Sequence, residues 1–268
     1  MPVLGQGTWR MGEAPSKRKN EVAALRSGIE LGMTLIDTAE MYADGGAERL
    51  VGEAIAGRRD QVFVVTKFYP QNATRERMAA ACDRSLRRLN VEQIDLYLLH
   101  WRGDVPLKET LAGFEDLLEA KKIRHAGVSN FDVDDMEELA QIKGGLERIV
   151  TNQVLYNLER RGIEWDLLPW MRRRHRPIMA YSPVEEGLLT HPHPVLKAVA
   201  ERHDATPAQV ALAWVIRADG VIAIPKAADS KHVRENRGAA DIKLTKQDLD
   251  ELDESFPAPK GRKPLESR

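Results

Sequence analysis

The sequence predicts an α/β fold, a single parallel (β/α)8 TIM barrel. Three observations lead there. Short β-branched, apolar runs alternate with helical patterns along nearly the whole chain. Three successive runs end in a polar side chain, Asp37, Lys67 and His100. In a parallel barrel all strand C-termini open onto one face, which is where such barrels place their chemistry. Finally, no Gly-x-Gly-x-x-Gly follows the first strand, so a doubly wound dinucleotide-binding sheet is not predicted. A length of 268 residues suits one barrel domain over 1–268.

The elements follow in order. Residues 1–15 are Gly- and Pro-rich, and Ser16 is a candidate cap for a helix over 17–31. Val22, Leu25 and Ile29 recur there at helical spacing, and Gly32 ends the pattern. Residues 33–36 form a first strand that ends at Asp37; Tyr42 lies in the loop after it, and Gly45-Gly46 closes that loop. A helix over 47–56 precedes a strand over 61–66 that ends at Lys67. Thr74 caps a helix over 75–89, and the strand 94–99 ends at His100. Helices over 107–121, 132–142 and 164–174 then alternate with strands over 126–128, 149–153 and 177–181. Two helices follow, 195–203 and 207–218, the second with Pro207 at its first position and Thr206 as cap. A strand over 221–224 and helices near Lys231 and Thr245 complete the alternation. The tail 257–268 is basic, Pro-rich and expected to be mobile.

Composition excludes several classes. The net charge of −1 gives no basic surplus for nucleic acid, and 43% hydrophobic with 30% charged residues is ordinary for a globular protein. The longest apolar stretch, 210–216, is too short to span a bilayer, and the N-terminus lacks a signal pattern. The single cysteine, Cys82, permits no internal disulfide and reads as a small core residue. These features predict a cytoplasmic protein that engages neither membrane nor nucleic acid.

Tyr42 is the candidate acid. A free phenol titrates near pH ~10, so it needs a cationic neighbour to be useful. Lys67 is placed to be that neighbour, with Asp37 to fix it, and its ammonium is expected to lower the Tyr42 pKa. Tyr42 can then act as a general acid, and no metal is required. Lys67 alone could instead form a Schiff base at a strand end. Taken singly, Tyr42 and His100 also read as ordinary, internally bonded side chains.

On these residues the chain resembles the aldo-keto reductases. The matching pieces are Ile36-Asp37-Thr38-Ala39 with Tyr42, Lys67, Leu99-His100-Trp101, Gly127-Val128-Ser129-Asn130-Phe131, Asn152-Gln153, Tyr181-Ser182-Pro183 and Ile224-Pro225-Lys226. Seven ordered matches span almost the whole chain. Gly5-Gln6-Gly7-Thr8-Trp9 and the Met41-Tyr42 loop look most like bacterial members regarded as methylglyoxal reductases. The resemblance implies a short N-terminal hairpin at the barrel bottom and NADP(H)-dependent reduction of small aldehydes and ketones, usually by a monomer. It makes Asp37, Tyr42, Lys67 and His100 catalytic, with Trp9 and Trp101 as pocket walls. Ser129, Asn130 and Gln153 would hold the nicotinamide carboxamide, Tyr181 would stack on its ring, and Ser182 and Asp37 would also touch cofactor. Lys226 and His232 would meet the 2′-phosphate, and Glu235 and Asn236 the adenine.

Two departures stand out. Ala227 replaces the usual Ser and His232 the usual Arg, which predicts weaker preference for NADP(H), with NAD(H) admitted at lower affinity. Glu185 and Glu186 lie in a loop that passes the cofactor pyrophosphate in relatives; they read as solvated carboxylates, or as partners of Arg160. Short loops after His100 and Tyr181 suggest an open mouth. A cofactor-binding regulatory module with little turnover is the alternative, since some relatives serve as channel-associated subunits; the intact set of four catalytic residues argues for the enzyme.

Overall fold

The computed structural model describes residues 2–185 and 193–267. Eight parallel strands form one sheet in sequence order: β1 (Gln6–Gly7), β2 (Leu35–Asp37), β3 (Phe63–Phe68), β4 (Ile94–Leu99), β5 (Ile123–Ser129), β6 (Ile149–Leu155), β7 (Ile178–Tyr181) and β8 (Val221–Ala223). Between and after them lie α1 (Arg18–Glu30), α2 (Gly46–Ile55), α3 (Arg75–Leu89), α4 (Leu107–Glu119), α5 (Val133–Gln141), α6 (Gly145–Arg148), α7 (Leu167–Arg173), α8 (Pro194–Arg202), α9 (Pro207–Ile216), α10 (Ser230–Gly238) and α11 (Lys246–Ser255).

The N-terminus differs from expectation. Among the described residues it forms no hairpin. Gln6–Gly7 instead pairs in parallel with β2, as Gln6↔Ile36 and Gly7↔Asp37. On its other side Gly5 N–H donates to Ala223 O at 2.8 Å, and Gly7 N–H to Pro225 O at 3.0 Å. This short segment is therefore the eighth stave, and it closes the barrel. Gly7 is suited to the closure, since a Cβ there would lie 2.7 Å from the Ile224 carbonyl oxygen. Ser16 is not a cap either; α1 begins directly from a short 3-10 turn, Pro15–Lys17, without a side-chain cap.

Other local predictions hold. The Thr74 hydroxyl accepts the Arg77 N–H, and Thr206 and Gln209 bond each other's backbone at the start of α9.

The strand alternation positions the site. Leu35, Val65, Leu96, Leu98, Met179 and Ile222 pack together as a small apolar cluster separate from the main strand–helix core. Side chains two apart share a face of a strand. Asp37 therefore follows Leu35, Lys67 follows Val65 and His100 follows Leu98 on the same inward face, one step nearer the C-terminal mouth. An apolar floor with a polar layer above it is the consequence.

Candidate active site

Lys67 is fully buried and uses all three ammonium protons. Nζ donates to Asp37 Oδ2 at 2.8 Å, to the Thr38 carbonyl at 2.8 Å and to the Tyr42 hydroxyl at 3.2 Å. Gln153 Nε2 donates to the other Asp37 oxygen at 2.7 Å. Asp37 thus has each oxygen bound by a different donor. Burial opposes the Lys67 charge, but the pull of Asp37 and Tyr42 wins and holds its pKa above the ordinary lysine value. Burial likewise pushes the Asp37 carboxyl up, against Lys67 and Gln153.

Tyr42 corrects the sequence reading. Its pKa is raised, not lowered, because burial outweighs the attraction of Lys67, and Asp37 adds to the rise. The phenol keeps its proton. Since its oxygen accepts from Lys67, its own O–H is available to a second acceptor.

His100, just past β4, is buried, and its Nδ1 finds no hydrogen-bond partner among the described residues. Burial, with Lys67 nearby, lowers its pKa to about 2, so the ring is neutral at physiological pH. Trp9 stands edge-on to Tyr42, ring centroids 5.0 Å apart, and Trp101 tilts against His100 at 4.9 Å. Both tryptophans are about two-fifths exposed, 41% and 37%, as walls of an open mouth would be.

The cofactor candidates divide into two groups. Ser129, Asn130, Gln153 and Tyr181 lie at the ends of β5, β6 and β7 and are bonded together. The Tyr181 hydroxyl donates to Asn130 Oδ1 at 2.8 Å, Asn130 Nδ2 donates to Ser129 Oγ at 3.2 Å, and Ser129 Oγ donates to the Gln153 carbonyl at 2.9 Å. Asn130 and Ser182 both take left-handed backbone, φ 56° and 46°, as the chain turns out of its strand. The Ser182 carbonyl accepts from Asn157.

The second group is on β8 and α10. Lys226 is exposed just beyond β8, beside Gly7. His232 lies between two carboxylates, with Nδ1 2.7 Å from Glu235 Oε2 and Nε2 3.6 Å from Asp229 Oδ2. Glu235 also pairs with Lys231 at 3.8 Å, and Asn236 is half-buried.

Comparison with known proteins gives the family. Residues 3–256 match the family model described as aldo/keto reductase family. The chain belongs to the aldo/keto reductase family. It is 53% identical over 272 residues to methylglyoxal reductase YeaE of Escherichia coli, covering 99% of this chain and 95% of that one. It is 36% identical to 9,11-endoperoxide prostaglandin H2 reductase of Trypanosoma cruzi, covering 95% and 87%. A crystal structure of an aldo/keto reductase from Klebsiella pneumoniae in complex with NADP and acetate superposes with a TM-score of 0.97 at 50% identity, covering 100% and 96% of the two chains.

In this aldo/keto reductase the pairing of Glu185 with Arg160 forms, and other contacts join it that the sequence did not disclose. Glu185 is not a solvated carboxylate. It is buried, accepting from Asn157 Nδ2 at 2.6 Å and from Arg160 Nε at 3.1 Å. A carboxylate leaves water only when such partners replace it. Glu186 lies outside the described residues. Arg160 also pairs with Glu266 at 2.9 Å, and Arg262 with Asp134 at 2.7 Å and Asp166 at 3.2 Å, so ion pairs tie the tail to the body. Tyr69 stands edge-on to Trp101 at 5.9 Å and extends the aromatic wall. Cys82 is buried with its thiol pushed up to about 12, an inert core group. Among the described residues no helix is long and apolar enough to cross a membrane, and no cluster of possible metal ligands occurs.

Proposed function

We propose that this aldo/keto reductase reduces small aldehydes and ketones, methylglyoxal among them, with NADPH as cofactor and Tyr42 as proton donor. The observation that carries the reading is the saturated Lys67 ammonium, which holds the Tyr42 oxygen at 3.2 Å and leaves the phenolic proton to the substrate. The relatives named above support the substrate and cofactor classes.

The donor set fits such a cofactor. Asn130 and Gln153 offer amide groups at adjacent strand ends, Tyr181 offers a half-buried ring, and Lys226 offers an exposed cation. An amide needs both donors and acceptors, a flat ring needs a flat face, and a phosphate needs a cation. When bound, NADPH supplies the reducing equivalent as hydride. The chain's residues do the rest. Trp9 and Trp101 flank the carbonyl compound. Neutral His100 directs a hydrogen bond at the carbonyl oxygen without adding charge. Tyr42 transfers its proton to that oxygen, and Lys67, held by Asp37, stabilises the phenolate left behind. The short open mouth favours small or loosely selected carbonyls.

The test follows the absorbance of NADPH with methylglyoxal, with NADH run alongside. Turnover with NADPH, and slower turnover with NADH, supports the reading. Tight NADPH binding with no turnover on methylglyoxal or other short aldehydes would favour a regulatory cofactor-binding module.

A further inference from the structure

Gln153 makes a bond, to Asp37, that the proposed role of its amide toward the cofactor does not explain. It sits on β6, four strands away from Asp37 on β2, so its 2.7 Å bond to Asp37 Oδ1 spans the barrel interior. Both residues are buried. The Gln153 backbone carbonyl is a second node, because it accepts from the Asn130 N–H at 2.9 Å and from Ser129 Oγ at 2.9 Å. Two hydrogen-bonded runs meet at Gln153, one at its backbone carbonyl and one at its side-chain amide. The first runs from Tyr181 through Asn130 and Ser129 to Gln153, and the second from Gln153 through Asp37 and Lys67 to Tyr42.

We propose that Gln153 is a positioning residue that joins the strand ends assigned to the nicotinamide to the proton-donating set, and that its amide sets how tightly Tyr42 holds its proton. The inference rests on the reading of Tyr42 as the proton donor. Asp37 acts on Tyr42 through Lys67. Donation from Gln153 neutralises part of the Asp37 charge. Without that donor the carboxylate is more negative toward its surroundings, and Tyr42 gives up its proton less readily.

The other groups around Tyr42 are few. Lys67 from β3 lies 4.7 Å from its ring, neutral His100 from the end of β4 lies 6.0 Å away by ring centroids, and Trp9 from the β1 side carries no charge. Glu40, two residues before Tyr42, is engaged by the Tyr69 N–H, Asn72 and Arg84. Asp44, two residues after it, is exposed. Asp37 is thus the charge through which a neutral amide can reach Tyr42.

The test uses Gln153→Met, which keeps the length of the side chain and removes the donor, and Gln153→Asn, whose amide is one methylene short of Asp37. Oxidation of the product alcohol requires the deprotonated phenol, so its rate rises through the Tyr42 titration. The rate is measured against pH at saturating NADP, so that any loss of cofactor affinity does not enter. Tyrosinate absorbance of cofactor-free protein, with the matching Tyr42→Phe protein subtracted, follows the same proton without turnover. Both variants should move the midpoint up by about one pH unit, an approximately tenfold lower rate at a fixed pH below it. A purely packing role would lower the plateau or the melting temperature and leave the midpoint in place; that result would overturn the inference and leave the reductase reading standing. Near-normal turnover in Tyr42→Phe itself would remove both.

Discussion

At the ends of β2 and β3 the polar groups are buried and each is held by another, whereas on α10 His232, proposed to meet the same cofactor, is exposed and paired with near neighbours in sequence. Lys67 is 0% exposed, with three acceptors reaching in from β2 and the loop after it. His232 has 60% of its side chain exposed and is flanked by Asp229 and Glu235, each three residues away. The first arrangement is fixed before any ligand arrives, which is what proton transfer at a defined distance requires. The second can rearrange when a phosphate competes, which is enough for affinity. Substitutions in the first region should therefore cost turnover and stability together, and those in the second should change only binding, and modestly.

Lys67→Met is the largest expected effect. It leaves Asp37 buried without its counter-ion, which costs about 3–5 kcal/mol in comparable cases. Denaturant unfolding checks the stability, and NADPH consumption the accompanying loss of reduction. A stable, active Lys67→Met protein would break the comparison at its stronger end.

A second buried carboxylate, outside the proposed catalytic set, behaves differently. Asp248, on α11, accepts from Arg202 and Thr245 and lies 2.8 Å from His203 Nε2. Burial works against its charge, but these bonds outweigh burial and hold its carboxyl below the usual range. A depressed folded pKa stabilises above the unfolded value of about 4 and is lost as pH falls through the folded value. Asp248→Asn should therefore be clearly less stable than wild type at neutral pH, and the gap should narrow as pH falls below about 4. Thermal unfolding at both pH values checks this, with carbonyl reduction unchanged at neutral pH and moderate temperature. Buried charge alone, in this account, does not make a catalytic site.

His232→Arg is the smallest effect. An arginine there meets the same two carboxylates, and exposed pairs are worth up to about 1 kcal/mol, so NADPH affinity should change less than about fivefold. Fluorescence titration with NADPH and NADH checks it. A much larger gain for NADPH would mean that the residue turns away from Asp229 and Glu235 when the phosphate binds.

What was legible in the sequence follows the same division. Asp37, Lys67 and His100 could be found because strand alternation is strict, and each ends an apolar run whose inward members form the floor. The N-terminal stave was not legible, since Gln6–Gly7 is a two-residue strand without a β-branched residue. The direction of the Tyr42 shift was not legible either. It depends on how completely the barrel buries the phenol, which pairwise reasoning from Lys67 does not capture. For Glu185 the sequence left two readings open, solvated or paired with Arg160; the pairing is the one formed, and the Asn157 contact, 28 residues away, was not legible. The His232 environment did carry a signal: Asp229, the cap of α10, and Glu235, one turn into it, stand three residues to either side.

If Tyr42 gives the proton, Tyr42→Phe removes that proton with one hydroxyl and opens no cavity. The measurement is kcat for methylglyoxal reduction together with the NADPH dissociation constant on the same preparation. With Tyr42 as the donor, kcat should fall by about 10²–10⁴-fold, with NADPH binding nearly unchanged. A kcat close to wild type would contradict it.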